Sequence, residues 1–177
     1  MESEMRDKLI LIGFMGTGKS SVSRGLAERL GWERVDVDEE IEKAEGRTIA
    51  SIFSDAGEEA FRTIESSMLR TIAEDDRPAV VATGGGAVLS SENRDCMKTN
   101  GFVVALQASP EMIISRVMTD SSRPLLAGGV SERVHRLLEE RRGAYDFAHY
   151  SIDTTELSVD DVVSAILREW NSYSVIQ

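Results

Sequence analysis

One cysteine, Cys96, stands in 177 residues, so neither an intramolecular disulfide nor a cysteine-built metal cage can form. A small, semi-buried thiol is the expectation there. No apolar run approaches the length of a membrane span. The leading Met1-Glu2-Ser3-Glu4-Met5-Arg6-Asp7 has neither the apolar core of a secretory signal nor the arginine-rich, acid-poor character of a transit peptide. These absences lead to the expectation of a cytoplasmic protein with no membrane partner. Basic residues are also in deficit, 20 Lys and Arg against 31 Asp and Glu, a formal net charge of −11. That argues against a nucleic-acid partner, because a phosphodiester backbone demands clustered cations. In so acidic a chain the cations of an anion-binding pocket stand out, and most are arginine, suited to planar two-point contacts with carboxylate and phosphate.

What remains is ordinary in bulk, with 41% hydrophobic and 29% charged residues, and the length fits one domain spanning residues 1–177. No repeat, linker or low-complexity segment interrupts it. Apolar segments at Leu9 to Ile12, Arg34 to Val37, Ala79 to Ala82, Phe102 to Leu106 and His149 to Ile152 read as strands. Helical patterns lie between them. Phe61, Ile64, Met68 and Ile72 mark one helical face, and Val134, Leu137 and Leu138 another. Ser109-Pro110-Glu111 opens a helix through Val117, and Ser158-x-x-Asp161 caps a final apolar stripe from Val159 to Trp170. Strands alternating with helices predict an α/β three-layer sandwich built on a five-stranded parallel sheet.

Ligands of such sheets gather beyond the carboxyl ends of the strands. Directly after the first strand, Gly13-Phe14-Met15-Gly16-Thr17-Gly18-Lys19-Ser20 spells G-x-x-x-x-G-K-[ST], the phosphate-binding loop, and a helix closed by Gly31 follows. Glycines let backbone N–H groups turn inward around phosphate oxygens, and the helix N-terminus adds its positive dipole end. Lys19 is predicted to reach the β/γ-phosphates and Ser20 to offer its hydroxyl to Mg²⁺. A nucleoside triphosphate is therefore expected. The third strand runs into Thr83 and glycines where a motor ATPase usually carries a metal-linked acid, and no Asn-Lys-x-Asp guanine signature occurs. A small-molecule kinase fits better.

Other strand ends are chemically loaded. Asp36 and Asp38 sit two apart, which on extended backbone turns both carboxylates to one side. One could hold a water on Mg²⁺ while the other accepts a hydrogen bond from a substrate hydroxyl; capping of the helix that carries Ile41 is an equal rival. Arg62 and Glu65, three apart, share a helix face, where a plain surface ion pair is the commoner meaning. Gly84, Gly85 and Gly86 allow close backbone approach. Arg123-Pro124-Leu125-Leu126, near Gly128 and Gly129, reads as a mobile lid around 119–130 carrying a cation. Arg141 and Arg142 end a charged helix.

These segments, in this order, closely resemble the shikimate kinases over nearly the whole chain. The matching stretches are the phosphate loop, Asp36-Val37-Asp38, Ile52-Phe53, Gly57-Glu58, Phe61-Arg62 with Glu65, Gly84-Gly85-Gly86, Arg123-Pro124-Leu125-Leu126, and Arg141 four residues before Tyr145. The resemblance implies a P-loop kinase fold of the nucleoside-monophosphate-kinase type, with a substrate-binding helical segment around 38–65. It also implies transfer of the ATP γ-phosphoryl group to the 3-hydroxyl of shikimate, on the route to chorismate and the aromatic amino acids. By similarity, Lys19, Asp38 and Arg123 are catalytic. The nucleotide lies on Gly13, Met15, Gly16, Thr17, Gly18, Lys19, Ser20 and Ser21, with Arg116 against adenine and Arg123 in the lid. Shikimate meets Asp38, Phe53, Phe61, Arg62, Gly84, Gly85, Gly86 and Arg141, and Ser20 with Asp36 holds Mg²⁺. A monomer is expected. The family commonly reads Arg-x-Pro-Leu-Tyr near the second arginine, whereas this chain has Arg141-Arg142-Gly143-Ala144-Tyr145, which leaves Arg141, favoured by register, and Arg142 both open. The rival readings are another metabolite kinase, for gluconate or a nucleoside monophosphate, and a non-catalytic nucleotide-binding regulator of the same fold.

Overall fold

Alternation along the first strand sets the layers. In the computed structural model, which describes residues 7–119 and 129–176, β1 (Lys8–Gly13) is buried throughout and sends its side chains to opposite faces. Leu9 and Leu11 join one core with Val22, Leu26, Val163, Ile166 and Trp170, while Ile10 and Ile12 join another with Val37, Ile41, Ile52, Phe61 and Leu69. A strand apolar on both faces needs helices on both, which is the three-layer arrangement.

The remaining elements follow in the expected order: α1 (Lys19–Leu30), β2 (Glu33–Asp36), α2 (Val37–Glu45), α3 (Ile49–Glu74), β3 (Ala79–Ala82), α4 (Ser91–Asn100), β4 (Phe102–Gln107), α5 (Pro110–Met118), α6 (Val130–Glu140), β5 (Tyr150–Asp153) and α7 (Val159–Ile176). A single 3₁₀ turn, Ala87–Leu89, follows the glycine triplet. Among the described residues the sheet has the order β2-β3-β1-β4-β5, and every pairing is parallel. The chain leaves β1 for one side of the sheet and later crosses to the other, so the phosphate loop opens at the switch point between them. Helix α1 with α7 covers one face; α2, α3 and α4 cover the other. A third, smaller core ties Phe14 and Met15 of the loop to Ile113 and Val117 of α5 and Val134 of α6.

Caps read from the sequence form as expected: the Ser109 hydroxyl accepts from the Met112 N–H at 3.2 Å and that of Ser158 from the Asp161 N–H at 3.1 Å. Three expectations need correction. The second strand ends at Asp36, and Val37 already belongs to α2, because the Asp36 carboxylate accepts the Glu39 N–H at 3.2 Å and starts a helix there. The fifth strand starts at Tyr150; His149 instead accepts the Val103 N–H on its Nδ1 at 2.9 Å. On α3 the deepest line is Phe61, Glu65, Leu69 and Ala73, with Ile64, Met68 and Ile72 half-buried beside it. An apolar-only count passes over Glu65, whose burial is compensated by its partner. Helix α3 also bends at Gly57, where φ is +86° and ψ 170°, a conformation open essentially to glycine alone. The bend folds Phe53 back onto Phe61, with ring centroids 4.8 Å apart.

Candidate active site

The phosphate loop leaves β1 at Gly13, whose φ is +147° and where a Cβ would strike the Leu106 carbonyl oxygen of β4. Only glycine permits this turn. The Thr17 hydroxyl, buried, donates to the Phe14 carbonyl at 2.7 Å, and the Thr154 hydroxyl donates to the Thr17 carbonyl at 2.9 Å. Lys19 Nζ donates to the carbonyls of Gly13 at 2.5 Å and Phe14 at 2.9 Å, so its ammonium lies across the mouth of the loop. Ser20 and Ser21 are exposed at the start of α1. Arg116 donates to the Gly16 carbonyl at 2.8 Å and helps line a cavity of ≈ 200 Å³ beside the loop, with Thr17, Gly18, Ser21 and Thr154. Leu157 and Val159 contribute to its apolar side, although in the sequence Val159 belongs to an apolar stripe and Leu157 carries no signal.

On the other side of the loop, four charged side chains converge on the glycine triplet. A Cβ on Gly84 would stand 2.9 Å from Glu65 Oε2 and 3.1 Å from Asp38 Oδ1. One on Gly85 would stand 3.0 Å from Arg141 Nη1, and one on Gly86 only 2.6 Å from Cζ of Arg62. None of these three glycines needs an unusual backbone angle; at each, a Cβ would press on the tip of a neighbouring charged side chain, which would have to give way. Arg62 donates to Glu65 at 2.9 Å, a charge-assisted bond with one buried partner, since Glu65 is 1% exposed. Burial raises the Glu65 carboxyl above its ordinary range, against the pull of Arg62 and Arg141. Among the described residues, Glu65 Oε2 and Arg141 Nη1 are buried without a hydrogen-bond partner. Such atoms are costly unless a ligand meets them.

Arg141 and Arg142 differ sharply. Arg141 is 6% exposed, with its guanidinium 5.3 Å from the centroid of the Phe14 ring, whereas the Arg142 side chain is 80% exposed and pairs with Glu139 at 3.4 Å. The proline missing from the family pattern is replaced by a turn with Gly143 at φ +77°. Tyr145 then donates its hydroxyl to the Gly85 carbonyl at 2.9 Å, a contact between distant segments that residue spacing does not announce. Burial raises the Tyr145 hydroxyl's pKa, keeping it a donor. Phe53 and Phe61 wall the same region, Phe61 beneath Arg62 at 5.3 Å. The lid expectation covers 119–130; its residues 120–128, Arg123 included, lie outside the described residues, while Val130 already begins α6.

So the chain brings a glycine phosphate loop and a pocket of two arginines, two carboxylates and bare backbone to one end of one sheet. A family model described as shikimate kinase matches residues 15–171. The chain belongs to the shikimate kinase family. The shikimate kinase of Pelotomaculum thermopropionicum is 44% identical over 170 residues, covering 96% of this chain and 98% of that protein. That of Geobacter metallireducens is 46% identical over 159 residues, 89% of this chain and 88% of its own. Among solved structures, shikimate kinase from Acinetobacter baumannii in complex with shikimate superposes with a TM-score of 0.90 at 38% identity, over 96% of each chain. The enzyme from Aquifex aeolicus gives 0.79 at 33% identity, over 95% of this chain and 98% of that one.

Proposed function

We propose that Asp38, Arg62 and Arg141 hold shikimate while Lys19 and the phosphate loop hold ATP, within the reaction of the family to which the chain belongs. The protein is an ATP-dependent kinase that phosphorylates a shikimate hydroxyl. In our reading the acceptor is the 3-hydroxyl, and the products are shikimate 3-phosphate and ADP. The observation that carries the substrate reading is the buried, unsatisfied Nη1 of Arg141 beside the Arg62–Glu65 pair. A carboxylate would satisfy that nitrogen and share both guanidiniums, in a geometry suited to two-point contact. Glu65 keeps Arg62 oriented, and Gly85 and Gly86 leave room for the ring.

Asp38 accepts the proton of the attacking hydroxyl as its oxygen bonds to the γ-phosphorus and the bond to the β,γ-bridging oxygen breaks. Phosphoryl transfer through a loose transition state asks mainly for positioning and charge stabilisation. Lys19 supplies charge at the phosphates once its loop carbonyls give way to them. Arg116 and the cavity beside it suit the adenine end.

We assign Mg²⁺ to Ser20 and Asp36. One exposed hydroxyl and one half-buried carboxylate fit an ion that keeps waters and takes phosphate oxygens for most of its shell. Among the described residues no three His, Cys, Asp or Glu side chains form a closed cage that would suit a different metal. When bound with ATP, Mg²⁺ neutralises phosphate charge. The reading extends to a cytoplasmic monomer; among the described residues no helix is long and apolar enough to cross a membrane. A coupled ADP-release assay with shikimate, gluconate and nucleoside monophosphates tests the whole: turnover with shikimate alone is expected, and preferential turnover of another acceptor overturns it.

A further inference from the structure

We propose that Arg34 is a positioning residue for the metal-holding pair, and that its charge weakens the hold on Mg²⁺. In the sequence Arg34 only opens a strand. In the structure Arg34 ties the two proposed metal residues together. Its Nε donates to Ser23 Oγ at 2.9 Å, and Ser23 Oγ, in a fully buried residue, donates to the Ser20 carbonyl at 2.8 Å in the first turn of α1. Its Nη2 stands 3.4 Å from Asp36 Oδ2, both side chains being 17% exposed. Its Nη1 stands 3.4 Å from Glu39. One guanidinium thus links the backbone of Ser20 to the carboxylate of Asp36.

Both oxygens of Asp36 are already engaged: Oδ1 accepts the Glu39 N–H at 3.2 Å, and Oδ2 faces Arg34. The ion pair is long for a charge-assisted bond, whose usual N···O separation is about 2.7–2.9 Å, and the same guanidinium is divided with Glu39. The carboxylate is therefore held in direction but not saturated. It suits a water on the metal better than the metal itself. At the same time a fixed positive charge beside Oδ2 opposes an arriving dication, and at this half-buried position solvent screens it incompletely. Of the two effects, the charge is the larger on removal, because the helix N–H still orients Oδ1 when Arg34 is gone. Arg34 therefore sets the Mg²⁺ concentration at which the site fills.

The inference rests on the assignment of Mg²⁺ to Ser20 and Asp36, and the test separates the two. ADP binding is measured calorimetrically across a Mg²⁺ series, and in EDTA, for wild type, Arg34→Met, Arg34→Gln, Asp36→Asn and the Arg34→Met/Asp36→Asn double variant. Arg34→Met keeps the apolar stem without the charge; Arg34→Gln keeps a donor for Ser23. Both should reach half of the metal-dependent gain in affinity at about three- to five-fold lower Mg²⁺ than wild type, with ADP affinity in EDTA unchanged. In the Asp36→Asn background the Arg34→Met change should still lower the Mg²⁺ requirement, because the guanidinium repels the dication through space whether or not Asp36 is charged. An unchanged or raised Mg²⁺ requirement in both Arg34 variants overturns the role of Arg34. ADP binding by wild type that ignores Mg²⁺ overturns the metal assignment instead.

Discussion

Asp38 shares the neighbourhood of Gly84 with Glu65, and the two carboxylates have different proposed tasks: Glu65 is flanked by Arg62 and Arg141, while Asp38 is proposed as the proton acceptor. Asp38→Asn should cut turnover by about a hundredfold or more while ATP affinity stays nearly unchanged, because only the proton acceptor is lost. Steady-state kinetics with a nucleotide titration checks this, and normal turnover removes Asp38 from the chemistry. Arg62→Ala and Arg141→Ala should each weaken shikimate binding by about 2–3 kcal/mol, the cost of a lost charged contact, whereas Arg142→Ala should leave it within about 0.5 kcal/mol. An effect at Arg142 equal to that at Arg141 would reverse the choice. Glu65 gives a pH signature. Desolvation raises its native pKa, so its contribution to stability is greatest below the ordinary value of 4.5 and is lost as pH rises through the raised one. Relative to Glu65→Gln, which does not titrate, wild type should therefore lose stability as pH increases over that window. Denaturant unfolding at pH 4.5 and at pH about 7 measures it, and parallel profiles would contradict the shift.

The glycine triplet and the bent helix are the elements that give the pocket its shape. Gly86→Ala puts a methyl group into the Arg62 guanidinium and should raise the KM for shikimate several-fold with little change in that for ATP. Equal shifts in both constants would place the damage in the fold instead. Much of this level was legible in the sequence, and the reason is locality. The phosphate loop, its preceding strand and α1 are specified by consecutive residues, as are the caps at Ser109 and Ser158, and all formed as read. The α2 start was half legible: capping by Asp36 competed evenly with a metal-and-substrate role for the acid pair, and the Glu39 N–H shows that the cap forms. Contacts between distant segments were not legible. Nothing in single-residue spacing joins Arg34 to Ser23, Tyr145 to Gly85 or Arg141 to Phe14, because each pair meets only after β-strand order is set. The choice between Arg141 and Arg142 likewise needed burial, which a charged pair of neighbours does not announce.

For the molecule as a whole, a ligand that binds only the native state adds stability by mass action. Shikimate at about 100 times its Kd should contribute about 2.7 kcal/mol, raising Tm by roughly 5–10 °C in a chain of this size, while gluconate at equal concentration should not. A thermal shift by gluconate and none by shikimate would overturn the substrate reading. The choice of signal for such work follows from where the indoles sit. Trp32 precedes β2 and Trp170 lies in α7; they meet edge to face at 6.0 Å, with Trp170 also against Phe102 at the first residue of β4. Both indoles of the chain thus report on the amino edge of the sheet, the end away from the glycines. Their emission follows loss of the hydrophobic cluster and is poorly placed to sense a small acid arriving between Arg62 and Arg141. Fluorescence melts of this protein read out the scaffold, and occupancy calls for calorimetry or an extrinsic probe.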